Sequence, residues 1–140
     1  MAVFSRRDLS LLIPALAATG ASAQKKMLPS NSYPFDSLKV NTSGAAKLRP
    51  VLDGQTHSGS NVEVHLTELP PGGAPHPPHH HVHEEMILIK DGTMEVTISG
   101  KAATLGPGSV AYVASNEEHG WRNTGTTRAL YFIVAFGGDK

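Results

Sequence analysis

Five of the eight histidines lie in one short stretch of the chain, from Gly72 to Gly92, with the sequence GGAPHPPHHHVHEEMILIKDG. Two glutamates follow the last of these histidines directly, and an apolar run follows the glutamates. Imidazole and carboxylate groups together are typical ligands of divalent transition metals such as Mn, Fe, Co, Ni, Cu or Zn. The stretch therefore predicts a metal site, and the rest of the chain must supply the scaffold that positions it.

The spacing within this stretch selects among the candidate ligands. In an extended chain, side chains at positions i and i+2 point to the same face, so His79 and His81 are expected to converge. Glu85 has the same parity and can join them at the start of the following strand. His83 also shares this parity, which makes it either a supporting residue or a competing ligand. His80 has the opposite parity and is expected to face solvent.

The first 23 residues have the three parts of a bacterial export signal. A basic segment carries Arg6 and Arg7, the apolar stretch Leu9–Ala18 is too short to span a bilayer, and Ala21-Ser22-Ala23 offers a cleavage site. The order of residues around the two arginines resembles a twin-arginine signal. The alternative is an ordinary secretory signal that contains two arginines. Either reading predicts a periplasmic or secreted protein.

Composition narrows the possible partners. The chain has 12 basic and 12 acidic residues, and removal of the predicted signal, with two arginines and one aspartate, leaves 10 basic and 11 acidic. This balance favours neither nucleic acid nor, once the signal is removed, an anionic membrane surface as a partner. Cysteine is absent, so disulfides and thiolate ligands are excluded.

The pattern of apolar residues predicts an all-β fold. The remaining chain of roughly 117 residues is enough for one domain, with an arm and first strands over 24–60 and a barrel over 61–136. Short alternating or apolar segments separated by Gly or Pro are typical of sandwiches and barrels. Strands are expected at Leu38–Val40, Lys47–Leu52 (closed by an Asp53-Gly54 turn), Val62–Thr67, Met86–Ile89, Met94–Ile98 (followed by a Ser99-Gly100 hairpin turn), Val110–Val113 and Ala129–Phe136, the last one buried on both faces.

Two groups of residues resemble the motifs of the cupin family. The first motif is a glycine, five residues, His-x-His, three or four residues, a glutamate, six residues and a glycine. Gly73, His79, His81, Glu85 and Gly92 satisfy every one of these gaps.

The second cupin motif is a glycine, five residues, Pro-x-Gly, two residues, a histidine, three residues and an asparagine. Here the gaps are satisfied by Gly108, Ala114, Asn116, His119 and Asn123, with Ala114 in place of the proline and Asn116 in place of the second glycine. Asparagine tolerates the left-handed backbone conformation that such a turn often requires. The motif is therefore expected to keep its histidine in place.

The resemblance implies a single jelly-roll barrel whose cavity holds one divalent metal bound by His79, His81, Glu85 and His119. Such a set fills four positions and leaves one or two open for water or substrate. Ligand identity does not choose among Fe, Mn, Ni, Co, Cu and Zn, because affinities at one site follow a common order. Trp121 shares the parity of His119 and is expected either to line the pocket or to pack in the core. The same alternatives hold for Tyr112 and Phe132.

Several functions remain compatible with the resemblance, because the fold does not determine the reaction. The favoured one is a metal-dependent, dioxygenase-like oxidation of a small organic molecule. Alternatives are a non-enzymatic module that binds a sugar or carboxylate, and a metal scavenger that uses exposed histidines such as His76 and His80. Exposed sheet edges must be paired or covered, so a homodimer is also expected, with contacts from Ala129–Phe136 and the arm Gln24–Ser37.

Overall fold

The computed structural model describes residues 25–138, so the predicted export signal over residues 1–23 lies outside the described residues. The described part contains nine β-strands and one short 3-10 helix, Phe35–Ser37. The strands are β1 (Asn41–Ser43), β2 (Ala46–Gln55), β3 (Asn61–Leu69), β4 (Glu84–Asp91), β5 (Met94–Ile98), β6 (Lys101–Leu105), β7 (Val110–Val113), β8 (His119–Asn123) and β9 (Ala129–Phe136).

The strands form two sheets in which every pair of neighbours is antiparallel. One sheet has six strands in the order β1-β2-β3-β9-β4-β7, and the other has three in the order β6-β5-β8. This arrangement confirms the predicted all-β, jelly-roll fold class. Within residues 25–138, no helix has the length and apolar character needed to cross a membrane.

The core lies between the inner faces of the two sheets. Alternation along β4 and β9 turns every second residue inward, and these residues meet the inward residues of β5 and β8. Burying each large apolar side chain contributes about 1.5–3 kcal/mol. One buried polar pair is satisfied internally, since Trp121 Nε1 donates a 3.0 Å hydrogen bond to the Tyr131 hydroxyl. The core cluster consists of Leu69, Ile87, Ile89, Met94, Val96, Trp121, Ala129, Tyr131 and Ile133.

The first predicted strand and the first predicted turn were both wrong. Residues 38–40 are not in a strand, and β1 begins only at Asn41. Gly54 lies inside β2, paired with Val62, instead of closing a turn. A Cβ on Gly54 would lie 2.5 Å from the Lys26 carbonyl oxygen. Gly54 therefore allows the N-terminal arm to run directly against β2, where Met27 forms a parallel bridge to Gln55.

Two turns fix the connections that flank β5. Ser99 and Gly100 both have positive φ, 47° and 77°, as a two-residue type I′ hairpin requires. They join β5 to β6, a strand that was not predicted.

Gly92 has φ of 87° between β4 and β5, and a Cβ there would lie 2.7 Å from Ala129 Cα. Glycine is thus required at the end of the first cupin-like motif for both conformation and space.

The prediction that β9 is buried on both faces was wrong, because its residues alternate between buried and half-buried. β9 is a central strand, paired with β3 on one side and β4 on the other. Its half-buried side belongs to an apolar surface, called here the outer face of the six-stranded sheet. The apolar residues that the register places on this face include Val62, Val64, Met86, Leu88, Val110, Tyr112, Leu130, Phe132, Val134 and Phe136.

Candidate metal centre

A two-way backbone bridge brings the two histidine-bearing segments together. His79 N donates to His119 O at 3.0 Å, and His119 N donates to His79 O at 2.8 Å. Prolines at positions 77 and 78 keep the approach to His79 extended. Gly120 is buried beside Pro78, and a Cβ there would lie 3.1 Å from the Pro78 ring. The proline-rich segment is therefore seated directly on the start of β8.

The turn before β8 also holds the second histidine of the first motif. Asn116 N donates a 2.8 Å hydrogen bond to His81 O. Asn116 has φ of 63°, which confirms the expectation that asparagine keeps the left-handed conformation in place of the family's glycine. Backbone contacts thus link the two motifs at both His79 and His81.

The three imidazole rings at this point face one another at inclined angles. Ring centroids are 5.1 Å apart for His79 and His81, and 4.7 Å for each of the other two pairs, His79 with His119 and His81 with His119. The corresponding interplanar angles are 60°, 49° and 71°. Inclined ring planes allow in-plane nitrogen lone pairs to meet at one point. The three residues place one donor atom each within 4.8 Å of one another.

Glu85 completes the cluster from the adjacent sheet. It lies near the start of β4 and is only 8% exposed. Its Oε1 is 3.4 Å from His81 Nε2, and its Oε2 is 3.5 Å from His119 Nε2. Such separations suit ligands that share an ion at bond lengths of about 2.0–2.2 Å. The structure therefore places Glu85 beside His81 and His119, two members of the three-histidine group.

Hydrogen bonds fix the orientation of two of these rings. His81 Nδ1 lies 2.8 Å from the carbonyl of His83, and His119 Nδ1 lies 2.8 Å from the carbonyl of Glu117. A carbonyl oxygen only accepts, so each Nδ1 carries the proton and each Nε2 presents a lone pair to the cluster. This is the usual arrangement of metal-binding histidines.

Five buried polar atoms at this point have no hydrogen-bond partner among the described residues. Leaving such atoms unpaired is costly, and all five belong to imidazoles or to the carboxylate. Their clustering is the expected signature of a cation site, and the donor set fits a divalent transition metal. The atoms are His79 Nδ1, His81 Nε2, His83 Nδ1, Glu85 Oε2 and His119 Nε2.

Comparison with known proteins agrees with the fold and the motifs. The Cupin_2 family profile, described as "Cupin domain", matches residues 65–136. The chain belongs to the cupin family. A search of curated proteins gave no significant match for this cupin.

Solved structures resemble this cupin over most of their length. They include an RmlC-like cupin from Shewanella frigidimarina, with 15% identity, 84% of this chain and 96% of that chain covered, and a TM-score of 0.66. KdgF from Halomonas sp. has 15% identity, 78% and 96% coverage and a TM-score of 0.68. A predicted oxalate decarboxylase from Thermotoga maritima has 21% identity, 71% and 93% coverage and a TM-score of 0.62. At these identities the likeness shows the fold.

His83 differs from the other histidines of the cluster in its orientation. Its ring stacks on His81 with centroids 3.5 Å apart and planes 10° from parallel. Together with His81 and Glu85 it forms a second group whose donor atoms lie within 4.8 Å of one another. Parallel stacked rings cannot both direct in-plane lone pairs at one ion, so His83 stands beside the ligand cluster in this arrangement.

Burial keeps two of these imidazoles, His79 and His83, in the neutral form. Burial is the largest cause that lowers the pKa of His79, and the neighbouring imidazoles of His76, His119 and His81 lower it further. Burial also lowers the pKa of His83, while its hydrogen bond to Glu85 acts in the opposite direction. Both rings are therefore neutral near pH 7, as ligation by imidazole requires.

A cavity of about 460 Å³ opens beside the cluster. Its wall includes two carboxylates and three imidazoles together with apolar side chains, and no lysine or arginine among residues 25–138 lines it. Within this wall, His65 Nδ1 is 3.2 Å from Glu63 Oε1. The lining residues are Glu63, His65, His81, Val82, His83, Glu85 and Ala135.

The sequence did not reveal Glu63 and His65 as cavity residues. The alternation along β3 favours turning its apolar set, including Val62 and Val64, toward the core. The register instead pairs Glu63 with Ala135 and His65 with Ile133, so the polar set of β3 faces inward at this end. The available signal was His65 itself, a histidine that alternates with apolar residues in the strand preceding the metal motif.

The remaining candidates have separate positions. Trp121 is 7% exposed and stacks beside His119 at 5.6 Å, so it both packs in the core and borders the cluster. Tyr112 is 50% exposed and donates to Glu84 Oε1, which shows that the predicted cavity or core position was wrong. Phe132 also lies on the outer face, half-buried.

Two further histidines match expectation, and the last residue of the second motif is buried. His76 and His80 are exposed, as predicted, although the His76 ring makes an edge contact with His79 at 4.2 Å. Asn123 is fully buried, and its Nδ2 donates to the carbonyls of Leu69 and Thr127. It closes the turn before β9 and therefore has a structural role.

Proposed function

We propose that this cupin holds one divalent transition metal through His79, His81, Glu85 and His119 and uses it to oxidise a small organic molecule. The observation that carries this proposal is the group of unpartnered buried donor atoms at the edge of the 460 Å³ cavity. Four protein ligands leave one or two coordination positions open, which distinguishes a reactive metal from a purely structural one. A substrate in the cavity would lie next to those positions.

The reaction proposed is dioxygenase-like, with both atoms of O₂ entering the product, so no external reductant is needed. The bound metal supplies Lewis acidity and one-electron chemistry. The chain's own contribution is placement: Val82 and Ala135 offer apolar walls, while the Glu63–His65 pair offers hydrogen-bonding groups to a polar substituent.

Oxygen uptake by Fe(II)- or Mn(II)-loaded protein tests this function. A panel of small phenols, diols and keto acids is expected to include a compound whose addition starts oxygen consumption. Replacing His81 with Ala should remove both bound metal and uptake, whereas replacing His80 with Ala should change neither. Stoichiometric metal binding without oxygen uptake on any compound would contradict the dioxygenase proposal.

The alternatives rest on separate features. One of the similar structures carries a name that denotes carboxylate chemistry, a predicted oxalate decarboxylase. For this cupin a binding-only role would give ligand-dependent melting shifts without turnover. A scavenger role would use exposed histidines such as His76 and His80 and would give more than one metal per chain.

We also propose export through the twin-arginine route to the periplasm or beyond. The supporting observation is the paired Arg6 and Arg7 ahead of an apolar segment. Substituting both arginines with lysine is expected to leave the precursor in the cytoplasm of a bacterial host. Undiminished export of the double variant would point to the ordinary secretory route.

The proposed partner of the outer face is a second copy of this cupin. β9 has both of its edges paired, so the contact would come from its apolar side chains and not from strand addition. Val110 and Tyr112, on the edge strand β7 that β4 separates from β9, are 54% and 50% exposed. Adjacent exposed apolar side chains of this kind are typical of interaction surfaces.

Sedimentation at micromolar concentration is therefore expected to give twice the chain mass. Replacing Val110 with Asp should weaken the dimer at least tenfold, because about 1.4 kcal/mol of lost burial suffices for that change. Thr104→Asp, on the exposed face of β6, is the matched control and should leave the mass unchanged. A monomer for the unaltered protein at this concentration would contradict the dimer.

A further inference from the structure

We infer that His83 is a positioning residue that sets the orientation of two metal ligands, His81 and Glu85, without binding the metal itself. This inference rests on the proposed metal site. His83 is not part of the family's first motif as it stands in this chain, in which the residues between His81 and Glu85 are unspecified. Its side chain is 15% exposed, so it is held within the wall of the site.

Two contacts with His83 hold the His81 ring in place. The backbone carbonyl of His83 accepts the hydrogen bond from His81 Nδ1 at 2.8 Å. The His83 ring also stacks on the His81 ring at 3.5 Å and within 10° of parallel. The hydrogen bond fixes which nitrogen of His81 carries the proton, and the stacking restricts rotation of the ring. Both direct His81 Nε2 into the ligand cluster.

The two carboxylate oxygens of Glu85 are in different surroundings. His83 Nε2 lies 3.3 Å from Oε1. An ionised carboxylate only accepts, so His83 Nε2 carries the proton and donates to Oε1. Oε2 has no hydrogen-bond partner and lies 3.5 Å from His119 Nε2. His83 thereby occupies one oxygen and leaves the other to the metal, which favours ligation through a single oxygen.

The stacked geometry also excludes the simpler alternative that His83 is a fifth ligand. An ion in the plane of the His81 ring and bonded to its Nε2 would lie well outside the nearly parallel plane of the His83 ring. Residues that orient ligands in this way typically change metal affinity about 10- to 100-fold when removed. The same order of effect is expected for His83.

Cobalt(II) titration followed by visible absorption tests this role, since the spectrum reports the number and geometry of ligands. His83→Ala should weaken Co(II) binding by about tenfold or more and change the absorption spectrum. His83→Gln, whose amide can donate to Glu85 Oε1 from a similar distance, should restore most of the affinity and the original spectrum. His80→Ala is the matched control, an exposed histidine of the same stretch, and should match the unaltered protein.

Several outcomes would overturn the inference. If His83→Ala binds Co(II) with the same affinity and spectrum as His80→Ala, then His83 only lines the site. Failure of His83→Gln to restore binding, together with full binding by His79→Ala, would make His83 a ligand. If His83→Ala does not fold, His83→Leu provides the same test, because leucine keeps apolar volume and lacks the donor. An absence of Co(II) binding by the unaltered protein would overturn the metal site itself, whereas a failed oxygen-uptake screen would leave the result for His83 standing.

Discussion

Replacing His119 with alanine is expected to abolish most metal binding and, with it, most of the stabilisation that the metal provides. His119 is 1% exposed, and its Nε2 has no partner apart from the cluster that it faces. At a hundredfold excess of metal over its dissociation constant, binding adds about 2.7 kcal/mol to the free energy of unfolding. For a domain of this size, that gain raises the melting temperature by on the order of 10 °C.

The measurement compares the melting temperatures of metal-loaded and metal-free protein, by calorimetry or circular dichroism at pH 7.5. The unaltered protein should show the full difference and His119→Ala little of it. His80→Ala, which changes an exposed histidine, should retain the full difference. Equal losses of bound metal for His76→Ala, His80→Ala and His119→Ala would instead favour a surface scavenger over a single internal site.

Lowering the pH from 7.5 to 5 is expected to remove the bound metal and to close the melting difference between loaded and metal-free protein. Imidazole binds metal only when neutral, and its ordinary pKa is about 6.5. Three imidazole ligands therefore bind up to three protons when the metal leaves, which makes the apparent affinity fall steeply below about pH 6.5.

The metal-free protein should also lose stability over part of this range. Burial lowers the pKa of His65 and His79 in the folded state. The unfolded chain then binds more protons than the folded chain below about pH 6.5, so the free energy of unfolding falls as pH falls. This loss begins near the unfolded pKa of about 6.5 and levels off below the lowered folded pKa. Above pH 7 neither histidine contributes a pH dependence.

The two effects are separated by measuring both forms at each pH. Loss of metal narrows the difference between loaded and metal-free protein, whereas protonation of His65 lowers the stability of both forms. Metal content measured after dialysis at pH 5 and pH 7.5 gives an independent reading. A melting difference of equal size at the two pH values would mean that imidazoles are not the principal ligands.

Much of the candidate site could be predicted from local sequence. The i, i+2 parity of His79 and His81 and the distance to Glu85 are properties of an extended chain entering a strand. The left-handed backbone at Asn116 could also be predicted from the residue type, because asparagine is one of the few residues besides glycine that tolerate positive φ. The approach of His119 was inferred from motif spacing, and the backbone bridge between His79 and His119 is its physical basis.

The tertiary structure decided which face of each strand is turned inward. Period-two alternation separates two sets of side chains on β3 but does not say which set meets the core. The pairing of β3 with β9 turns Glu63 and His65 toward the metal cluster and leaves apolar residues on the outer face. The same register accounts for the outward position of Tyr112, which no local pattern revealed.

The role of His83 was likewise decided by packing. Its parity allowed either a ligand or a supporting residue, because the sequence gives spacing but not ring orientation. The chain bends at residues 82 and 83, ahead of β4, and the His83 ring lies flat against that of His81. The sequence alone thus determined which residues can reach one point. Only the packed structure determined which lone pairs are directed at that point, because ring planes depend on contacts between segments and not on spacing along the chain.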